Sequence, residues 1–204
     1  MLKRAEKLGF YFSSIEIKDL CKAWVMLSLA FAIYFLGSID FSFQFLTAFL
    51  ISLLTVGTAF VLHELGHKLM AQHYGCHAEF RAFNSMLWLA LIFSFFGFIF
   101  AAPGAVMING PIGIRRNGKI SALGPGTNIV LAAIFLLVNI FYRNPILNVI
   151  SYYGFLINSW LALFNMLPLQ MFDGKKIWEW DKKVYILMAI ISVIFMVLQI
   201  KVSV

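Results

Sequence analysis

The chain is 204 residues long, 62% hydrophobic and only 12% charged, with 22 phenylalanines and a formal charge of +7. A soluble domain of this size cannot hide that much apolar surface, and several stretches approach the roughly 20 residues that cross a bilayer, so the class is a polytopic α-helical membrane protein. The basic excess sits at the ends of apolar runs, as in cytoplasmic loops, which speaks against nucleic acid; Cys21 and Cys76 are too few and too separated for a disulfide framework.

In chain order, residues 1–22 mix Lys3, Arg4 and Lys7 with Glu6, Glu16 and Asp19 and lack a small-residue cleavage pattern, so they read as a retained cytoplasmic segment. Apolar runs follow at 23–37, 41–72, 86–108, 120–141, 146–167 and 184–200. There is no internal repeat or soluble appendage, and residues 1–204 read as a single integral-membrane domain. If all six runs cross, Lys and Arg divide almost evenly between the two sides. If 86–108 instead enters and returns, every basic residue except Arg143 and Lys201 falls inside, and the positive-inside bias favours that arrangement. The expected fold is therefore all-α and multi-pass in the cell membrane, with the N-terminus cytoplasmic. Five or six transmembrane helices are expected, with a re-entrant or β-hairpin segment after the second apolar run.

Near the end of that second run, behind residues 41–62 with no charged side chain, stands His63-Glu64-Leu65-Gly66-His67. HExxH spacing puts two imidazoles about 6 Å apart along one helical face, where both can bind one Zn²⁺ beside a glutamate able to serve as base. Two histidines and a glutamate in apolar surroundings are costly without a metal. Gly66 admits close approach of another helix or of substrate backbone. His73 has the spacing of the third ligand in HExxHxxGxxH proteases, but Met70 replaces the glycine that lets the chain double back. A continuing helix then carries His73 about 15 Å from His63. His73, Cys76 and His77 read as a juxtamembrane polar turn around Gly75 rather than an accessory metal site.

Further on, in Asn165-Met-Leu-Pro168-Leu-Gln-Met-Phe-Asp173-Gly174, Pro168 disfavours helix at Leu167. The next residues are expected to run extended and present Asp173, the best third ligand, with Gly174 easing the turn. Helices 120–141 and 146–167 form a hairpin whose ends share one side, so Asp173 reaches the histidines only if segment 73–119 returns to where it left. Asn165 can hold substrate backbone or an oxyanion, or equally bond the backbone at its own helix end. Two histidines and one carboxylate leave a fourth zinc position open, as a catalytic site requires.

With these residues assembled, most of the chain resembles the site-2 protease family of intramembrane zinc metalloproteases, in a compact form without an inserted PDZ domain or regulatory tail. The resemblance is carried by His63-Glu64-xx-His67, by Gly124-Pro125-Gly126-Thr127-Asn128 and by Asn165-xx-Pro168-xxxx-Asp173-Gly174; the long apolar insert 86–104 departs from it. It implies one zinc per chain held by His63, His67 and Asp173, Glu64 as catalytic base and a substrate-positioning role for Asn165. It also implies cleavage of a transmembrane protein substrate within the lipid bilayer, near the cytosolic face. Ala105-Val106-Met107-Ile108 before Asn109-Gly110 reads either as a short strand that takes up unwound substrate backbone or as the apolar return limb. Two rivals remain: another membrane-embedded HExxH hydrolase of the prenyl-protein endopeptidase type, with a later Glu as ligand, and a non-catalytic metal-binding scaffold. The oligomeric state is not written in the sequence.

Overall fold

The computed structural model describes residues 10–39, 42–99, 102–142 and 144–201. Lys3, Arg4, Glu6, Lys7 and Arg143, on which part of the charge reading rests, lie outside them. The elements are α1 (Ser14–Leu36), α2 (Phe43–Ser52), α3 (Thr58–His73), β1 (His77–Ala82), α4 (Asn84–Ser94), β2 (Gly104–Asn109), α5 (Ile114–Phe141), α6 (Pro145–Asn165), α7 (Asp173–Trp180) and α8 (Lys182–Leu198). Among the described residues, four helical stretches are long and apolar enough to cross a membrane: α1, α2 through α3, α5 and α6. The chain is a largely helical, multi-pass membrane protein. At 17 residues, α8 is about 25 Å long, somewhat short of a typical hydrocarbon core.

Local chemistry explains the helix ends. Ser13 accepts the Glu16 N–H at the start of α1, and Gly37 closes it in the left-handed region at φ 74°. Asn144 caps α6, with Pro145 in its first turn, where the missing N–H costs nothing. Between α2 and α3 the helix widens into a π turn, Leu53–Gly57. The Leu53 carbonyl takes hydrogen bonds from Trp24 Nε1 and Thr58 Oγ1, each at 2.9 Å. Gly57 lies against the Trp24 ring, where a Cβ would collide with it.

The apolar run 86–108 does not form a helix throughout. It holds the 11-residue α4 and, further along, β2. Pro103 lacks an N–H and disfavours helix before it, and Gly104 sits against the Phe80 ring in a place no side chain could share. β2 pairs antiparallel with β1, from His77 opposite Asn109 to Ala82 opposite Gly104. This ladder brings the chain back beside the point at which it left α3.

One buried ion pair ties these parts together. Glu16 on α1 and Lys68 on α3 are both fully buried and hydrogen-bonded to each other. Glu16 also accepts the Phe80 N–H of β1 at 2.9 Å, while the Lys68 ammonium lies 4.0 Å from the Phe12 ring centroid. Leu20, Ala23, Leu27, Val56, Phe60 and Phe80 pack as the apolar core around this junction. Removing one partner leaves the other charge buried and alone. Glu16→Ala should therefore destabilise the protein by about 3–5 kcal/mol, and Glu16→Leu combined with Lys68→Met should recover most of that loss. Reversible unfolding in detergent measures both, and a single variant as stable as wild type would contradict this account of the junction.

Candidate metal centre

Helix α3 presents His63 and His67 one turn apart on a face turned into the protein, and both are buried. The face is narrow because α5 lies close upon it. A Cβ on Gly66 would stand 2.8 Å from the Leu123 carbonyl oxygen and 2.9 Å from Thr127 Oγ1, and a Cβ on Gly124 would run into both imidazole rings. Each of these glycines lets one helix touch the other. Pro125, inside α5, removes the N–H that would bond the Ser121 carbonyl. Next to that disrupted turn, the Ile120 carbonyl faces His67 Nδ1 at 2.9 Å. His63 Nδ1 meets Asn128 Oδ1 at 2.6 Å.

Asp173 arrives from the opposite direction. Helix α6 ends at Asn165 and an irregular turn follows through residue 172, so the expected extended run is absent. Asp173 opens α7 instead. Gly174 makes no turn of its own. It lies in the first turn of α7, pressed against the Met166 and Leu167 carbonyls where a side chain would collide. The reason for glycine here is close packing, which plants the Asp173 side chain over the histidines. Tyr185 of α8 holds the same loop by donating to the Met166 carbonyl at 2.9 Å.

The result is a triangle of donor atoms. His63 Nε2 and His67 Nε2 are 3.1 Å apart, and Asp173 Oδ2 lies 3.4 and 3.1 Å from them. Both Nδ1 atoms already face oxygen acceptors, so each neutral ring carries its proton there and turns a lone pair into the triangle. With both rings neutral, the three acceptors repel one another unless a cation, a metal ion or a shared proton, lies among them. A tetrahedral zinc with bonds near ~2.05 Å spaces its ligands by ~3.3 Å, which these edges fit. The three residues can coordinate a metal ion and suit zinc.

Glu64 is buried beside the pair, and its Oε2 accepts the Val106 N–H of β2 at 3.1 Å. The segment Ala105, Val106, Met107 and Ile108 is a strand, paired on one side with β1. The Phe80 and Val106 N–H groups, opposite each other in the ladder, leave it for Glu16 and Glu64. By alternation, Val106 and Ile108 face the outer edge of β2, and Ala105 and Met107 face β1. Asn165 donates Nδ2 to the Leu161 carbonyl at 2.9 Å, along its own helix. His73 packs against the Tyr74 ring, Gly75 turns at φ 73°, and His77 lies 3.8 Å from Glu79. Among the described residues these form no metal-binding group; His63, His67 and Asp173 do.

Two contributors escaped the sequence reading. Asn128 was visible only as part of a glycine-rich motif, and Asn158 not at all. Both are fully buried, and Asn128 Nδ2 donates to Asn158 Oδ1 at 2.9 Å. A buried amide in an otherwise apolar run is the signal that marks such residues.

Fold and site together define a membrane-embedded metalloprotein whose HExxH helix and distal aspartate form one buried metal centre. The chain is 42% identical over 175 residues to a protein of Methanocaldococcus jannaschii named as a candidate zinc metalloprotease, an alignment covering 84% of this chain and 87% of that one. The chain belongs to this zinc metalloprotease family. No family model matches it, and no solved structure matches it significantly.

Proposed function

We propose that the protein is a zinc-dependent intramembrane endopeptidase of the site-2 protease kind, which hydrolyses peptide bonds within or near transmembrane segments of its substrates. The observation that carries this reading is the donor triangle of His63, His67 and Asp173 with Glu64 on the same turn, all within the reach of a membrane-spanning helix. A structural zinc site uses four protein ligands and has no need of an adjacent base.

His63 and His67 through Nε2, and Asp173 through Oδ2, would hold one zinc ion per chain. When bound there, zinc supplies Lewis-acid polarisation of a peptide carbonyl and acidifies a water. Glu64 takes a proton from the attacking water onto its carboxylate and passes it to the leaving amine. The Val106 N–H aims that carboxylate.

A peptide bond in a transmembrane helix is shielded by its own hydrogen bonds, so the substrate must unwind, and its freed amides need partners at membrane depth. The outer edge of β2 supplies them by strand addition, and Asn165 adds a further hydrogen bond on turning away from Leu161. The segment holding α4 and β2 is re-entrant, α8 is a fifth span, and the active site lies near the cytoplasmic face, as does the N-terminus. This orientation is supported by the basic residues: Gly118 lies against the Lys176 carbonyl and Trp180, so Arg115, Arg116 and Lys119 share one end of the protein with Lys175 and Lys176. The prenyl-protein endopeptidase alternative has less support, because its late glutamate would be Glu179, which is half exposed and paired with Lys175 at 3.1 Å.

Three outcomes are expected. His63→Ala, His67→Ala and Asp173→Ala each lose zinc and cleavage of a membrane-protein substrate, whereas Glu64→Gln keeps zinc and loses cleavage by about 100-fold or more; zinc analysis with a reconstituted cleavage assay reads both, and an active Glu64→Gln would end the mechanism. Cysteines placed at 115–119 and 175–183 should react from the cytoplasmic side, and labelling of 115–119 from outside would reverse the orientation. Proline at 108 removes no ladder hydrogen bond and leaves the Val106 N–H on Glu64, so it should impair cleavage while zinc is retained; full activity in this variant would exclude the strand edge from substrate binding.

A further inference from the structure

We propose that Asn128 and Asn158 form a positioning relay that holds His63 in the one tautomer able to bind a metal through Nε2; the inference rests on the zinc reading above. The orientation of both amides follows from backbone carbonyls, which can only accept. The Ala59 carbonyl lies 3.2 Å from one terminal atom of Asn128, so that atom is the NH₂ nitrogen. The Gly154 carbonyl, 2.8 Å away, fixes Asn158 in the same way. Asn158 Oδ1 then receives the second N–H of Asn128 at 2.9 Å. Both donors of Asn128 are committed, and its only remaining polar atom, Oδ1, faces His63 Nδ1 at 2.6 Å. An acceptor there is satisfied only by a proton on Nδ1, and in the neutral ring that leaves Nε2 with its lone pair turned toward His67 and Asp173.

Asn128 and Asn158 are fully buried, so no bulk water competes for these groups. Turning the Asn128 amide over would set its oxygen against the Ala59 carbonyl and the Asn158 oxygen, two acceptors at once. Reversing His63 would strand the Asn128 oxygen. Of the two neutral tautomers of His63 the network therefore accepts one, and it is the metal-binding one. Ala59 precedes His63 by one helical turn, so Asn128 grips α3 and its histidine together while Asn158 braces it from α6.

The two imidazoles are held by different means. His67 is oriented by the Ile120 carbonyl, which no side-chain substitution removes. His63 depends on a side chain and so can be released by mutation. Outer partners of this kind are worth about 10–100-fold in metal affinity.

The test uses the full-length protein in detergent with ¹⁵N-labelled histidine. Ring-nitrogen NMR of the metal-free wild type should show His63, assigned by its absence in His63→Gln, with its proton on Nδ1. In Asn128→Ala, His63 should lose that preference, His67 should keep it, and the zinc dissociation constant should rise about 10–100-fold. Asn158→Ala leaves the Ala59 anchor in place and should raise it less. A purely structural role predicts that Asn128→Ala lowers thermal stability but leaves the His63 tautomer unchanged and zinc affinity within about twofold of wild type; that result overturns the proposal. A neutral wild-type His63 with its proton on Nε2, read at a pH high enough for the ring to be uncharged, overturns it as well, and this measurement needs neither a variant nor bound metal. Failure of the wild type to bind zinc at all would sink the zinc reading instead, with the tautomer still deciding the relay.

Discussion

Acceptor atoms aimed at one point repel, and burial strengthens the repulsion because little water is present to screen it. The lone pairs of His63, His67 and Asp173 converge to within 3.4 Å in just such a place. Much of the surrounding architecture serves to maintain this arrangement. α5 comes close enough to press Gly66 and Gly124 into the contact, α7 begins exactly where Asp173 can reach down, and Gly174 lets that helix start pack on the carbonyls at the end of α6. Adding a methyl group at any of these glycines would push the donors apart or force the helices to separate. A protein gains nothing by maintaining three mutually repelling groups unless a cation joins them.

A second constraint concerns what lies over the glutamate. The ladder of β1 and β2 is joined to α1 through Glu16 and to α3 through Glu64, by two N–H groups that leave the ladder at facing positions. Glu16 in turn holds Lys68, the residue after His67. The sheet edge, the HExxH turn and the first helix thus form one hydrogen-bonded unit, so a strand docking on β2 would act directly on the residues around Glu64. This coupling is what makes a strand edge a reasonable place to receive unwound backbone at membrane depth.

How much of this could be read from the chain varied with the range of the interaction. His63, Glu64 and His67 were legible because a helical face is a local property, set by a spacing of four residues. Asp173 was legible only by combining Pro168, the hairpin of two apolar runs and the need for the intervening segment to return. Its setting was misjudged, because Gly174 suggested a turn where the glycine instead permits a tight helix start. Within 86–108, residues 105–108 read equally as a short strand or as an apolar return limb, because a short apolar run looks alike in either role; pairing with residues 77–82, together with Pro103 and Gly104, makes them the strand β2. The Glu16–Lys68 pair was out of reach, since charges flanking apolar runs normally face water or headgroups. Asn158 and the role of Asn128 depend on three helices meeting, which no spacing within one of them reveals.

The central claim is that one divalent zinc joins the two imidazoles and the aspartate. X-ray absorption at the zinc edge, on purified protein with its metal content determined, tests it most directly. The account predicts one zinc per chain with two imidazole nitrogens and oxygen ligands at about 2.0–2.2 Å and no sulfur. A sulfur shell at about 2.3 Å, a third imidazole, or a folded protein that takes up no zinc would contradict it.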